Sequence, residues 1–214
     1  MNHNGILRRL DPCAISAFVV PLFVYLLTLA PTVTFFDSGE FLAAISSLGT
    51  AHSPGYPLFI NYAKPFTFIP LGNIAFRVNF ATAVSAALAC FGVYLLTVQL
   101  LKGEDTPWQG RFGALAARLA GVAAALTFAF TPRLWLQSNH DKPYPLLAFI
   151  CAIIFYLMLL WRESYFEGEE RPAYVYLGAF LCGLGTGAHQ IMVLMIPTYA
   201  FLLWSADRRV VFRV

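Results

Sequence analysis

The chain has 214 residues, 59% of them hydrophobic and only 12% charged, with a formal net charge of +3. Soluble domains carry roughly 45–50% apolar and about 25% charged residues. This composition, with a mean hydropathy of +0.67, therefore excludes an ordinary soluble fold. The small charge, with no Lys/Arg run longer than a pair, gives no ground for a nucleic-acid partner, and the cations read as topology signals.

A spanning helix needs about 20 mostly apolar residues, and the fold class expected from such runs is an all-α integral membrane protein. Cys13–Phe36 is the first run. It is too long for the roughly 7–15-residue apolar core of a leader and is expected to be a retained span. The segment from 37 to 77 follows as a semi-apolar loop. Within it, Glu40 to Leu48 has a helical pattern with Gly49 as its stop. AHSPGYP is turn chemistry, and Pro65 and Pro70 limit any later helix. Short helices lying in the membrane interface are expected here. Further spans are expected at 78–101, 112–135 and 143–161. The third is rich in Ala and Gly, which lets helices approach closely in lipid, so it is expected to be central in the bundle.

The last apolar run, 173–204, would be about 48 Å long as one helix, against a hydrocarbon core of about 30 Å. Its middle, GLGTGAHQ, reads as a break. The run is therefore either one kinked helix, giving five spans, or two short spans at 173–187 and 189–204, giving six. With the N-terminus inside because of Arg8 and Arg9, two crossings place ten of the fourteen Lys and Arg inside, including Arg208, Arg209 and Arg213. Six spans with both termini cytoplasmic satisfy the positive-inside rule best. The expected location is a bacterial inner membrane or its equivalent, with the first loop outside. The four cysteines, Cys13, Cys90, Cys151 and Cys182, sit in apolar runs and behave as small apolar residues.

Three polar groups stand out at the membrane edge, where polar residues are functional candidates. In Asp37-Ser-Gly-Glu40, a carboxylate could act as general base on an acceptor hydroxyl. The same spacing also makes Asp37 and Glu40 a capping box for the following helix. His52, beside a tight turn, suits a phosphate or sugar, or belongs to a rigid loop. TPRLWLQSNHDKPYP gathers Arg133, His140, Asp141 and Lys142, a cation cluster fit for a lipid phosphate or an ordinary solvated loop. His140 and Asp141 lack a third ligand with diagnostic spacing, so no divalent metal is expected. His189, at the helix break, would be a hydrogen-bonding partner for unpaired backbone. No Gly-rich nucleotide loop occurs, so a soluble nucleotide donor is not supported.

PTVTFFDSGEFLAAISSLGTAHSPGYPLF resembles the signature of the transmembrane-protein-260-like family, related to protein O-mannosyltransferases and carrying the GT-C glycosyltransferase fold. Ser53 replaces a family proline. TPRLWLQS resembles its Ser-Pro-x-x-Trp segment, and GLGTGAHQIMVLMIP its Gly-Leu-x-x-Gly-Asn-His stretch, with Ala188 where Asn is usual. The resemblance implies sugar transfer from a polyprenyl-phosphate lipid to an acceptor hydroxyl on the outer face. Asp37 would be the base and Glu40 would orient the acceptor. His52, Arg133, His140, Lys142 and His189 would hold substrate or lipid phosphate. Two departures cut against this. Lys142 stands where the family has a Glu, and family members continue for further spans, so the chain corresponds to an N-terminal part. The alternative is a shortened, inactive relative serving as a transmembrane subunit of a larger complex, for example a respiratory or pigment–protein assembly.

Overall fold

The computed structural model describes residues 11–102, 110–169 and 171–206. The topology cations Arg8, Arg9, Arg208, Arg209 and Arg213, and most of the loop before Gly110, lie outside the described residues. Nine α-helices are described: α1 (Pro12–Thr28), α2 (Ser38–Ser47), α3 (Pro57–Ala63), α4 (Ile74–Leu100), α5 (Gly110–Ala129), α6 (Pro132–Ser138), α7 (Tyr144–Phe166), α8 (Ala173–Thr186) and α9 (Met195–Ala206). Single 3₁₀ turns at Lys64–Phe68 and Gln190–Leu194 follow α3 and precede α9. The chain is an all-α membrane protein. Three helices, α4, α5 and α7, are long and apolar enough to cross a membrane, and α1, α8 and the stretch Gln190–Ala206 are shorter apolar helices.

α1 stops at Thr28, short of the Phe36 expected from hydropathy. Leu29 is already extended, with φ −62° and ψ 133°, and a residue before proline, here Ala30, is steered away from helix. The apolar run 112–135 likewise divides. α5 ends at Ala129, and Pro132 restarts the chain as α6, taking the first-turn position that proline suits. α2 begins at Ser38. Its end is marked by Leu48, rather than Gly49, in the left-handed conformation, while the Gly49 amide closes back on the Ala44 carbonyl at 2.8 Å.

α4, not α5, is the centre of the bundle. It packs on α1, α5 and α7 and buries more than half of its most apolar stretch, against about a quarter for α5. Two hydrophobic clusters meet along it. One joins α1, α4, α5 and α6 around Tyr25, Cys90 and Tyr94. The other joins α2, α3, α4, α7, α8 and α9 around Phe41, Phe59, Ile154 and Met192. Small residues on α4 permit the contact. A Cβ on Gly92 would lie 2.8 Å from the Ala152 Cβ of α7. Contacts of Asn79 with Asp141, Gly92 with Ala152 and Gln99 with Glu163 show that α4 and α7 run in the same direction.

The last apolar run is a hairpin. The Tyr199 hydroxyl of α9 donates to the Val175 carbonyl of α8, and a Cβ on Gly178 would meet the Tyr199 ring at 2.8 Å. The break falls at Gly187–His189, where the His189 Nδ1 accepts the Ile191 amide at 3.1 Å. The Gly187 carbonyl accepts the Leu58 amide at 2.8 Å. The break is thereby fastened to the start of α3.

Replacing Gly92 by leucine should destabilise the protein by about 1–3 kcal/mol through overpacking of α4 on α7. Gly183→Ala, where a Cβ meets nothing within 4 Å, should leave stability unchanged. Thermal unfolding in detergent distinguishes the two.

Candidate functional site

The site forms where the chain leaving α1, the start of α4 and the loop between α6 and α7 converge. Asn79, buried in α4, organises this end. Its side-chain amide donates to the Ala30 carbonyl at 2.8 Å and the Thr32 carbonyl at 3.3 Å, and its Oδ1 accepts the Asp141 amide at 3.0 Å. The Ala30 amide also reaches the Asn139 carbonyl at 3.0 Å. Two loops more than a hundred residues apart are thus laid side by side. In an apolar surrounding each of these backbone groups would otherwise be costly to leave unpaired.

This brings Asp37 to Lys142. The Lys142 Nζ donates to the Asp37 Oδ2 at 3.0 Å across 105 residues of sequence. The lysine side chain is 8% exposed and the aspartate 51%. The ammonium also sits 5.7 Å over the Phe41 ring, a favourable cation–π position. The hydrogen bond from Lys142 holds the Asp37 carboxyl below its ordinary range against the opposing effect of burial, and the Lys142 charge adds to the lowering. Asp37 occupies the N-cap position of α2, but its side chain makes no cap hydrogen bond. The capping box does not form, because the charged partner from α7's entry loop takes the carboxylate instead. The preceding Phe36 is exposed and left-handed, with φ 67°, a conformation that costs a non-glycine residue about 1–2 kcal/mol.

Glu40 also turns away from the cap. Its carboxylate accepts the backbone amide of His52 and faces the His52 Nδ1 at 3.0 Å. With Nδ1–H donating to the carboxylate, Nε2 is left to accept from the Tyr56 hydroxyl, 3.3 Å away. The loop that carries His52 is shaped by a cis Ser53–Pro54 bond, by Gly55 at φ 94° and by Tyr56 at φ 50°. An alanine in place of Gly55 would be strained. The Tyr56 ring touches Phe41 and His189 at 5.0 and 5.7 Å, and Tyr144 stacks obliquely on His189 at 5.2 Å.

The structure therefore gathers five of the seven sequence candidates: Asp37, Glu40, His52, Lys142 and His189. His140 lies next to Lys142 in the loop but is buried, and burial, then the Lys142 charge, lowers its proton affinity. Arg133 is exposed on the first turn of α6 and forms no hydrogen bond or ion pair with the other candidates among the described residues. Sequence reasoning passed over Ser38, Asn79 and the aromatic hub of Phe41 and Tyr56, and considered Asp141 only as a metal ligand. Asn79 had a usable signal, an amide inside an apolar span. Ser38 and Asp141 had none, since their contact is long-range. Among the described residues no three His, Cys, Asp or Glu side chains converge in a metal-binding group.

Residues 37–211 match the protein O-mannosyl-transferase TMEM260 N-terminal domain. The protein O-mannosyl-transferase tmem260 of Dictyostelium discoideum is 27% identical over 210 residues, covering 92% of this chain and 24% of its own length. The protein O-mannosyl-transferase TMEM260 of Mus musculus is 30% identical over 184 residues, covering 86% of this chain and 24% of its own length. The chain thus spans about a quarter of the length of the curated relatives it matches. No solved structure matches.

Because Asp37 is half open to solvent, its coupling to Lys142 should be modest. A double-mutant cycle of Asp37→Asn and Lys142→Gln at neutral pH should give about 1 kcal/mol or less. Asp37's proton affinity is lowered in the folded state, so this contribution is present above the ordinary carboxylate range. It should vanish as pH falls through the lowered value, which chemical unfolding at a series of pH values would follow.

Proposed function

This chain belongs to the family of the protein O-mannosyl-transferase TMEM260 N-terminal domain, and on that premise we propose that it forms the acceptor-activating part of a membrane glycosyltransferase. The substrate class is a mannosyl unit on a polyprenyl phosphate, and the acceptor is a hydroxyl of a protein. Asp37 is the base. Its carboxylate takes the hydroxyl proton as the acceptor oxygen bonds to the sugar C1, and the C1–O bond to phosphate breaks with its electron pair leaving on the phosphate. The observation that carries this reading is the Asp37–Lys142 pair at the edge of the apolar bundle. It keeps a carboxylate ionised at neutral pH and sets a cation next to it. Lys142 then steadies the departing phosphate as Asp37 becomes neutral, with exposed Arg133 as a second cation toward the headgroups.

Glu40, fixed by His52, orients the acceptor or holds a second hydroxyl. Tyr56, Tyr144 and His189 supply flat faces against which a sugar ring can lie. On this reading the loop carrying the site faces outward, away from cytoplasmic termini, in a bacterial inner membrane or its equivalent. The GT-C fold would be completed by segments beyond this domain.

A second reading draws on the same pair. A lysine that occupies the carboxylate lowers its basicity and stands where the family resemblance leads one to expect an acid, which suits an inactive relative that acts as a structural subunit in a larger membrane complex. Transfer of mannose from a polyprenyl-phosphate donor, measured with the full chain and with Asp37→Asn, separates the two. The transferase reading expects a loss of about 10²–10⁴-fold in rate. Equal rates for both proteins would remove Asp37 as the base, and no transfer together with stoichiometric co-purification of other membrane proteins would support the subunit reading.

A further inference from the structure

Asp141 is an acid one position before Lys142, and the mechanism above leaves it unused. Its side chain is 1% exposed. Oδ1 accepts from the Ser38 hydroxyl of α2, and that same Ser38 oxygen accepts the Thr34 amide at 3.3 Å. Oδ2 is buried with no hydrogen-bond partner among the described residues. The backbone amide of Asp141 is held by Asn79. A buried carboxyl with one hydroxyl donor on Oδ1 and nothing on Oδ2, on a backbone pinned by Asn79, is an expensive place for a full charge. The titratable and charged groups around it are Asp37 on α2, and His140 and Lys142 on its own loop. α4 presents only the neutral Asn79.

We propose that Asp141 is a positioning residue for Asp37, holding the first turn of α2 through Ser38 and competing with Asp37 for the Lys142 cation. The two effects are separable. The Ser38 bond fixes where the Asp37 carboxylate lies and needs only an oxygen acceptor. The competition needs a charge. When Asp141 is neutral, Lys142 belongs to Asp37 and keeps it a weak base. When Asp141 is ionised, the lysine is shared between two acids and Asp37 holds a proton more readily. Burial pushes the Asp141 carboxyl up to about 7, so the exchange falls near neutral pH. The sign follows: as pH rises through that value Asp141 ionises, Asp37 becomes the stronger base, and transfer quickens.

This inference rests on the transferase reading for its kinetic arm only. In the full chain, wild-type transfer should rise about three- to tenfold between about pH 6 and about pH 8. Asp141→Asn keeps an oxygen for Ser38 but cannot ionise, and its rate should be flat over the same range. Ser38→Ala should lower the rate at every pH and keep the rise. A wild-type pH profile in Asp141→Asn would overturn the proposal, as would a flat profile in Ser38→Ala. Infrared difference spectra provide an arm independent of activity. A protonated-carboxyl band should disappear between about pH 6 and about pH 8 in wild type and in Asp37→Asn, and be missing in Asp141→Asn. A band unchanged in Asp141→Asn would overturn the proposal whether or not mannose is transferred. The expected band in a chain that transfers nothing and co-purifies stoichiometrically with other membrane proteins would uphold the place of Asp141 and reject the transferase reading.

Discussion

One amide organises the functional end of this protein. Asn79 sits in the most buried helix, yet all of its side-chain hydrogen bonds go outward to backbone of two loops. Water can satisfy loop backbone in a soluble protein, but at the border of an apolar phase the protein itself must do so. The amide offers two donors and an acceptor in one plane, enough to seat the chain leaving α1 against the chain entering α7. Asp37 meets Lys142, and Ser38 meets Asp141, only because those two stretches are held in register.

The same constraint explains what could be read from the sequence. Apolar runs gave the membrane class and the rough place of every long helix, because hydropathy is local. The prolines at 31 and 132 ended or restarted helices as local backbone rules require, although hydropathy alone ran past both. GLGTGAHQ announced a break, and the hairpin that forms there follows from having two apolar halves and one weak point. The family resemblance was legible in short motifs around Asp37, His52 and His189. The partners of those motifs were not. Capping rules assign Asp37 and Glu40 to α2 because their spacing is three. They cannot weigh that assignment against a lysine 105 residues away or an imidazole twelve residues on. The Ala- and Gly-rich character of α5 signalled close packing, but α4 is small-residue-rich as well and has neighbours on more sides.

The lysine at position 142 sets the balance of the site through its pair with Asp37. Where the family resemblance leads one to expect two acids across a gap, this chain has an acid facing a cation, with a second acid buried one residue earlier. An ion pair open on one side to solvent is weak, and a weak pair is readily exchanged for a competing phosphate. A carboxylate in that position stays ionised without being strongly basic, and a neighbour that withdraws part of the cation can restore basicity. Glu40 stands apart from this exchange, since its carboxylate is committed to both the backbone and the ring of His52.

α4 is a party wall between two separate interiors. On one side it is lined by Cys90 and Tyr94 against α1 and α5, on the other by Val78 and Ala81 against the α2–α3 loop and α7. A poor fit behind Tyr25 need not disturb the seat of Phe41, and the reverse holds as well. The two compartments therefore answer to different packing demands, and the residues that join them, Asn79 through the wall and Phe66 against Phe80 beside it, are answerable to both.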